Sequence, residues 1–147
     1  MRNATIDVII PLYNVERYIG EAVRSVLVQT HAAQQLIVVD DGSTDKGAEV
    51  VQAIQRENTS PTQVVLLRKP NGGLSSARNF GIQHSRADLV AFLDADDRWE
   101  PGKLEAQVEC FAQDTSGELV LVYCGTHDID AEGATIPGTR MPTDVCR

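Results

Sequence analysis

The sequence of 147 residues lacks an apolar run long enough to cross a membrane, and no long apolar region follows its start. It also lacks a run of basic residues, and its formal net charge is −8 at pH 7. Such an acidic chain is unsuited to binding nucleic acid by neutralising phosphates, so we exclude a nucleic-acid partner. We expect a cytoplasmic protein without a transmembrane segment. A phosphate-bearing ligand would need help to approach such a chain, and a bound metal ion is one natural source of that help.

Cysteine is scarce as well. The three cysteines, Cys110, Cys124 and Cys146, are odd in number and widely spaced. This pattern fits neither a disulfide framework nor a zinc site. We therefore predict free thiols in a reducing compartment.

Length and composition are those of an ordinary folded domain. With 42% hydrophobic and 23% charged residues, a chain of this length can bury one sizeable core. We predict a single domain that spans residues 1–147.

Short apolar segments alternate along the chain with segments whose apolar residues recur at helical spacing. The predicted strands are Ile6–Leu12, Leu36–Val39, Val64–Leu67, Leu89–Leu93 and Leu119–Tyr123. The predicted helices are Tyr18–Thr30, a helix that starts near Thr44, Ser75–Ser85, and a helix whose first residue is Pro101. Strands without polar alternation, separated by helices, predict an α/β, Rossmann-like fold with a mainly parallel sheet and helices on both faces.

Three carboxylates follow the fourth predicted strand within four residues: Asp94, Asp96 and Asp97, here called the acidic cluster. Ionised acids this close repel one another, so they need a shared proton, basic partners or a hard divalent cation that prefers oxygen ligands. The simpler interpretation is a solvated acidic turn. Because the acidic cluster follows directly after a strand, the functional hypothesis is that it binds a divalent cation.

Other unusual residues also follow strands. Tyr13 comes after the first strand, Asp41 after the second, and Gly72 and Gly73 after the third. In parallel sheets, ligands bind beyond the carboxyl ends of the strands, where the strand order reverses. The pattern therefore favours a site for a small phosphate-containing molecule.

Residue types suggest how that molecule would be held. Asp41 could accept hydrogen bonds from a pyrimidine imide or from ribose hydroxyls, Tyr13 could lie against a ring face, and Arg78 is a candidate phosphate ligand. Simpler interpretations stay open: Asp40 and Asp41 as an Asx turn, and Arg78 as a solvated charge on a helix.

Four segments in succession resemble the signatures of the family 2 glycosyltransferases. In chain order they are Pro11-Leu12-Tyr13-Asn14, Val39-Asp40-Asp41-Gly42-Ser43-Thr44-Asp45, Asn71-Gly72-Gly73-Leu74-Ser75-Ser76-Ala77-Arg78-Asn79-Phe80-Gly81 and Phe92-Leu93-Asp94-Ala95-Asp96-Asp97-Arg98-Trp99. The resemblance implies the GT-A fold and a nucleotide-sugar donor, most often a uridine diphosphate sugar. It further implies a divalent Mn or Mg ion and transfer to a glycan or other hydroxyl acceptor with inversion at the anomeric carbon.

Matched motif by motif, the resemblance also implies residue roles. Asp41 would bind the base, and the Asp-x-Asp element would contact the ribose and the metal that bridges the diphosphate. With Arg78 added from its position, the predicted nucleotide-binding residues are Pro11, Tyr13, Glu16, Asp41, Arg78 and Asp94. The predicted metal ligands are Asp96 and Asp97.

The sequence departs from the family after the acidic cluster. The catalytic base and much of the acceptor site of the family come from a later segment, whereas this sequence ends at Arg147. We interpret the chain as an incomplete donor-binding portion of a glycosyltransferase, with the base expected beyond Arg147. An exposed sheet edge and apolar surface then predict self-association. A glycan or lipid-linked acceptor and peripheral membrane association are left open.

Two alternatives to an active enzyme are considered. A catalytically inactive nucleotide-binding module of the same ancestry would need no base. A receiver-like signalling domain also places acids after strands, but its acidic pair follows the first strand, whereas Asp40 and Asp41 follow the second.

Overall fold

The computed structural model describes residues 4–137. Its strands are β1 (Ile6–Leu12), β2 (Gln35–Asp40), β3 (Gln63–Arg68) and β4 (Leu89–Phe92). Its helices are α1 (Glu16–Leu27), α2 (Gly47–Glu57), α3 (Leu74–His84) and α4 (Lys103–Gln113). The predicted alternation of strands and helices is therefore confirmed from β1 to α4.

The four strands form one parallel sheet in the order β3-β2-β1-β4. The chain moves outward from β1 to β3 and then returns to the other side of β1 for β4. The strand order thus reverses between β1 and β4, which is where the rule for parallel sheets places a ligand. All residues of β1 are buried. They include Asp7, whose carboxylate accepts hydrogen bonds from Gln35 N and Ser85 Oγ.

Pro11 lies in a central strand, a position that proline usually avoids because it donates no hydrogen bond. Two residues earlier, the carbonyl of Ile9 faces β4 and accepts a hydrogen bond from Leu93 N at 3.1 Å. Since β4 pairs with β1 only as far as Ile9, Pro11 lies past the end of β4 and interrupts no ladder bond. The space beyond β4 is left open for the site described below.

Helices cover both faces of the sheet. Leu12 of β1 approaches α2 closely at Gly47, whereas Ile9, on the opposite face of β1, approaches α3 at Gly81. The core on the α3 face consists of Ile9, Ile37, Val39 and Ala77. The predicted α/β architecture with helices on both faces is confirmed.

Gly81 provides a test of this packing. A Cβ added at Gly81 would lie 2.6 Å from Ile9 Cγ2, in the middle of the α3 face of the core. We expect Gly81→Ala to lower the free energy of unfolding by about 1–3 kcal/mol, the usual cost of overpacking, as measured by urea denaturation. Gly102→Ala is the matched control, because no atom lies within 4 Å of the added Cβ. Equal stability of the two variants would contradict the packing described for α3.

The described residues fall into two compact units. Of the described residues, 4–105 form one unit, which contains the whole sheet, and 106–137 belong to the other. In the second unit, Ile129 and Thr135 form an isolated antiparallel bridge. The prediction of a single domain over residues 1–147 is left as a prediction.

The predicted fifth strand, Leu119–Tyr123, is wrong. These residues form no strand. Val120, Leu121 and Tyr123 are exposed, with Val120 at 89%, whereas Leu119 and Val122 are partly buried. A strand requires a neighbour for its backbone groups, and no described residue pairs with this segment as a ladder. The apolar run alone therefore predicted one strand more than the sheet contains among the described residues.

Two smaller expectations are also corrected. Helix α4 begins at Lys103 and not at Pro101, whose carbonyl instead accepts a hydrogen bond from Thr30 N at 2.9 Å. Cys124 is a free thiol as predicted, but Cys110 is disulfide-bonded, and Cys146 lies outside the described residues. Among the described residues, no helix has the length and apolar character that crossing a bilayer requires.

Candidate functional site

A cavity of about 430 Å³ opens at the carboxyl ends of the strands. The loops that follow all four strands contribute to its walls. The lining residues are Pro11, Leu12, Tyr13, Val15, Asp41, Asn71, Gly73, Leu74, Ala77, Asp94, Ala95 and Asp96. The cavity therefore lies where the strand-end pattern predicted it.

Asp41 is the most enclosed carboxylate of this cavity, with only 3% of its surface exposed. Lys69 Nζ lies 2.5 Å from Oδ1, and the backbone N–H of Gly73 donates to Oδ2 at 2.7 Å. The N–H of Gly72 is shared between the two oxygens, at 3.0 Å and 3.2 Å. These donors compensate for the loss of water that burial imposes on the charge.

The surroundings of Asp41 determine its ionisation. Burial alone would raise the pKa of the carboxyl, but the hydrogen bonds from Lys69, Gly72 and Gly73 and the charge of Lys69 together lower the pKa below its ordinary value. Asp41 is therefore an ionised hydrogen-bond acceptor at neutral pH.

The same contacts fix the loop that leads into α3. Gly73 precedes α3 with φ of 85°, a left-handed conformation that favours glycine, and its N–H points at Asp41. Asp41 thus holds the start of α3, while α3 carries Arg78 toward the acidic cluster. The buried carboxylate of Asp41 therefore positions both the Gly73 part of the cavity wall and the helix that carries Arg78.

The neighbouring Asp40 has a different role. Its Oδ1 accepts a hydrogen bond from Ser43 N at 2.9 Å, which makes the Asx turn that was one interpretation of this pair. Asp40 does not line the cavity, whereas Asp41 does. Of the two adjacent acids, one shapes the turn and the other faces the site.

Within the acidic cluster, the carboxylates are held differently. Arg78 donates to Asp94 at 2.6 Å, and both side chains are partly exposed. In the described part of the chain, no hydrogen bond or ion pair reaches the carboxylates of Asp96 and Asp97. Partial burial raises the pKa of the Asp97 carboxyl, and the negative charges of Asp96 and Asp94 raise it further. The repulsion inferred from the sequence is therefore only partly relieved by Arg78.

Arg78 belongs to α3 and its side chain lies beside β4. Its Cζ is 5.7 Å from the centre of the Phe92 ring, and its Nε is buried without a hydrogen-bond partner among the described residues. The interpretation of Arg78 as a fully solvated charge is wrong, because its guanidinium is ordered by Asp94 and Phe92.

The structure brings together five of the eight predicted site residues on the cavity wall: Pro11, Tyr13, Asp41, Asp94 and Asp96. Arg78 and Asp97 do not line the cavity but belong to the acidic cluster or contact it. Glu16 does not line the cavity but lies in an adjoining concavity, which shares Val15 with it, between the loops that precede α1 and α2. Its carboxylate accepts a hydrogen bond from Lys46 N at 2.7 Å.

Sequence reasoning missed Lys69. The signal was available, since a buried acid at the end of β2 needs a cation, and Lys69 directly follows the neighbouring strand β3. Lys69 is itself largely enclosed, with 13% of its side chain exposed. Lys69 offsets the negative charge of Asp41 but does not itself line the cavity.

Comparison with known proteins identifies the fold family. Residues 7–137 match the family described as "Glycosyl transferase family 2". The chain belongs to this family. The GT-A fold that the resemblance implied is thereby confirmed, and the alternative of a receiver-like signalling domain is excluded.

Individual relatives agree with this assignment. An uncharacterised glycosyltransferase of Nostoc sp. strain PCC 7120 is 42% identical over 131 residues, which cover 89% of this chain and 39% of the relative. The structure of S. aureus TarS residues 1–349 in complex with UDP-GlcNAc has a TM-score of 0.64 at 28% identity, covering 74% of this chain and 31% of that protein. This family 2 chain thus spans about two fifths of the curated relative and less of TarS.

A third similarity concerns the fold alone. The mannosyltransferase PcManGT from Pyrobaculum calidifontis, solved with GDP-Man and Mn²⁺, has a TM-score of 0.72 at 22% identity over 86% of this chain and 36% of that protein. Its β/α core therefore has the same arrangement as that of this glycosyltransferase family 2 chain.

Proposed function

We propose that this chain binds a nucleoside diphosphate sugar, most simply a uridine diphosphate sugar, as the donor-binding portion of an inverting glycosyltransferase. One observation carries the proposal: a single cavity at the reversal of strand order is lined both by the buried, ionised Asp41 and by Asp94 and Asp96. Phosphate-bearing ligands commonly bind at this position in parallel sheets. UDP-GlcNAc, which is bound to the related TarS, is a donor of this class.

Asp41 is suited to recognise the base. A carboxylate has roughly four acceptor positions, and three donors, from Lys69, Gly72 and Gly73, already use the carboxylate of Asp41. The remaining position can accept the imide N–H of uracil. Tyr13, half exposed at the mouth of the cavity, offers a ring face to the nucleotide.

The acidic cluster is suited to a divalent Mn or Mg ion. Among the described residues, no group of three or more His, Cys, Asp or Glu side chains could hold a metal alone. Mg²⁺ sites that act on phosphates commonly use only one or two carboxylates, with the substrate phosphates and water as further ligands. Asp96, which has no partner within the described chain, and Asp97 supply such a set. Bound there, the ion would act as a Lewis acid for the departing diphosphate.

The remaining residues orient this arrangement. Arg78 holds Asp94 in place and offsets one negative charge, which leaves Asp96 available. An inverting displacement also needs a carboxylate that takes the acceptor proton. Five expectations remain predictions: the catalytic base beyond Arg147, the glycan or lipid-linked acceptor, the single domain, the cytoplasmic location and self-association.

Titration calorimetry with uridine diphosphate, with and without Mn²⁺, tests the proposal. We expect affinity to fall at least about tenfold when the metal is chelated, because the diphosphate then meets the acidic cluster without a counter-ion. Guanosine diphosphate is the control for the base, and uridine is the control for the diphosphate.

Absence of metal-dependent binding to uridine diphosphate would overturn the proposal. Binding alone does not separate the donor-binding portion of an active enzyme from the catalytically inactive nucleotide-binding module, because the base is expected beyond Arg147. Sugar transfer by a protein that includes sequence following Arg147 would favour the active enzyme, and its absence there would favour the inactive module.

A further inference from the structure

Helices α1 and α2 begin side by side, and neither is capped by its own N-cap residue. The N-cap positions are Val15 and Lys46, and the side chain of neither makes a capping hydrogen bond. The first N–H groups of a helix have no partner within the helix. Another part of the chain must therefore satisfy them.

Two carboxylates make these contacts: Asp45 caps the start of its own helix α2 and also reaches the start of α1, and Glu16 reaches the N-cap residue of α2. Asp45 Oδ2 accepts a hydrogen bond from Glu16 N at 2.8 Å, and its Oδ1 accepts one from Gly47 N at 3.0 Å. In return, Glu16 Oε2 accepts a hydrogen bond from Lys46 N at 2.7 Å. We call these three hydrogen bonds the cross-cap. Negative charge at both helix N-termini adds to its stability.

The loop that the cross-cap fastens carries one wall of the cavity. Asn14, with φ of 51°, has the left-handed backbone that few residues other than glycine adopt. It is held by Thr44, whose N–H donates to Asn14 Oδ1 at 2.8 Å, and by Ser43, whose Oγ accepts from Asn14 N at 3.2 Å. Tyr13 and Val15, on either side of Asn14, line the cavity. Loosening this junction would displace both of them.

We propose that Glu16 is a positioning residue for the nucleotide cavity and not a nucleotide ligand. Acting with Asp45, it fixes the β1–α1 loop against the β2–α2 loop, and so fixes Tyr13 relative to Asp41. Glu16 does not line the central cavity but a neighbouring concavity that shares Val15 with it, and its carboxylate is already bonded to Lys46 N. The inference rests on the proposed function, because it concerns the same cavity.

Three variants separate positioning from direct contact. Glu16→Ala and Asp45→Ala each break the cross-cap, and each is expected to weaken binding of uridine diphosphate with Mn²⁺ by about tenfold, the equivalent of one lost cap. Glu16→Gln is expected to bind nearly as the wild type does, because an amide oxygen still accepts from Lys46 N. The double variant with both alanines is expected to lose less than the product of the single effects, since both disrupt one junction.

Glu49→Ala is the matched control. Glu49 is an acidic residue in the first turn of α2, so the variant changes the same charge at the same helix end, but no hydrogen bond of its side chain occurs within the described residues. It is expected to leave binding unchanged.

Direct contact predicts a different pattern. Glu16→Gln would then weaken binding as much as Glu16→Ala, and Asp45→Ala would leave it intact. A purely structural role would lower the melting temperatures of the alanine variants without changing their affinity for the nucleotide. Either result would overturn the proposal.

Hydrogen exchange of the ligand-free protein tests the cross-cap without any nucleotide, so its result does not depend on the proposed function. Faster exchange in residues 13–17 and 41–47 is expected in Glu16→Ala but not in Glu16→Gln. If the wild type fails to bind uridine diphosphate, the proposed function fails while the cross-cap is still tested by exchange. Equal exchange in both variants would contradict the cross-cap itself.

Discussion

Replacing Asp41 by alanine is expected to lower the free energy of unfolding by about 3–5 kcal/mol, the usual cost of removing one partner from a buried ion pair. The variant leaves Lys69 enclosed without its counter-charge and removes the acceptor for Gly72 N and Gly73 N. The start of α3 would lose its attachment to the end of β2. Urea denaturation followed by circular dichroism measures the effect.

Lys69 supplies the control for this prediction. Lys69→Met should also destabilise, because it leaves Asp41 buried with only backbone donors. The combination of Lys69→Met with Asp41→Leu should cost less than the sum of the single variants, since both charges then leave the interior. Additive losses would mean that the pair does not interact as its 2.5 Å separation indicates.

The pH dependence follows from the direction of the Asp41 pKa. Because folding lowers this pKa, the carboxylate stabilises the fold fully above the ordinary aspartate pKa of about 3.9. That stabilisation is lost as the pH falls through the lower value of the folded state. The difference in stability between the wild type and Asp41→Asn should therefore be constant near neutral pH and shrink below about pH 4. A constant difference down to pH 2 would contradict the lowered pKa.

Asp96→Asn is expected to weaken metal-dependent binding of uridine diphosphate by at least about 100-fold, because loss of even an outer partner of a metal ligand costs 10–100-fold. Asp96 lines the cavity and has no hydrogen-bond or ion-pair partner in the described chain, so the substitution removes a free charge and no structural contact. The melting temperature should not fall, because the substitution also removes the repulsion between Asp96 and Asp97. Calorimetry with Mn²⁺ and a thermal melt measure the two quantities.

Two further acids serve as references for Asp96. Glu100→Gln makes the same change of charge at an exposed residue nearby that does not line the cavity, and it should leave binding unaffected. Asp97→Asn should have a smaller effect than Asp96→Asn, because Asp96 lines the cavity whereas Asp97 does not. Equal losses in Asp96→Asn and Glu100→Gln would indicate general electrostatics and no specific metal ligand.

The location of the cavity was predictable because it follows from topology. Carboxyl ends of parallel strands meet at one edge of the sheet, so Tyr13, Asp41 and the acidic cluster had to converge once their strands were identified. Lys69 was harder to identify, since a lysine after a strand is usually solvated and only burial of Asp41 makes it a partner.

The failure of the fifth-strand prediction has a physical cause. An apolar run at Leu119–Tyr123 satisfies the strand pattern, but strand formation depends on a neighbouring backbone that the local sequence does not encode. Similarly, the position of Glu16 in a motif did not reveal that its carboxylate is directed at Lys46 N across a second loop.

The sequence by itself determined the α/β alternation, the family and the acidic cluster after β4, because hydrophobic periodicity and residue order are local properties. Only the tertiary structure decided how the acids divide their roles. Asp41 is paired with Lys69, Asp94 with Arg78, and Glu16 with the start of α2, while Asp96 keeps no partner in the described chain. Those partners come from distant segments that meet only when the sheet forms.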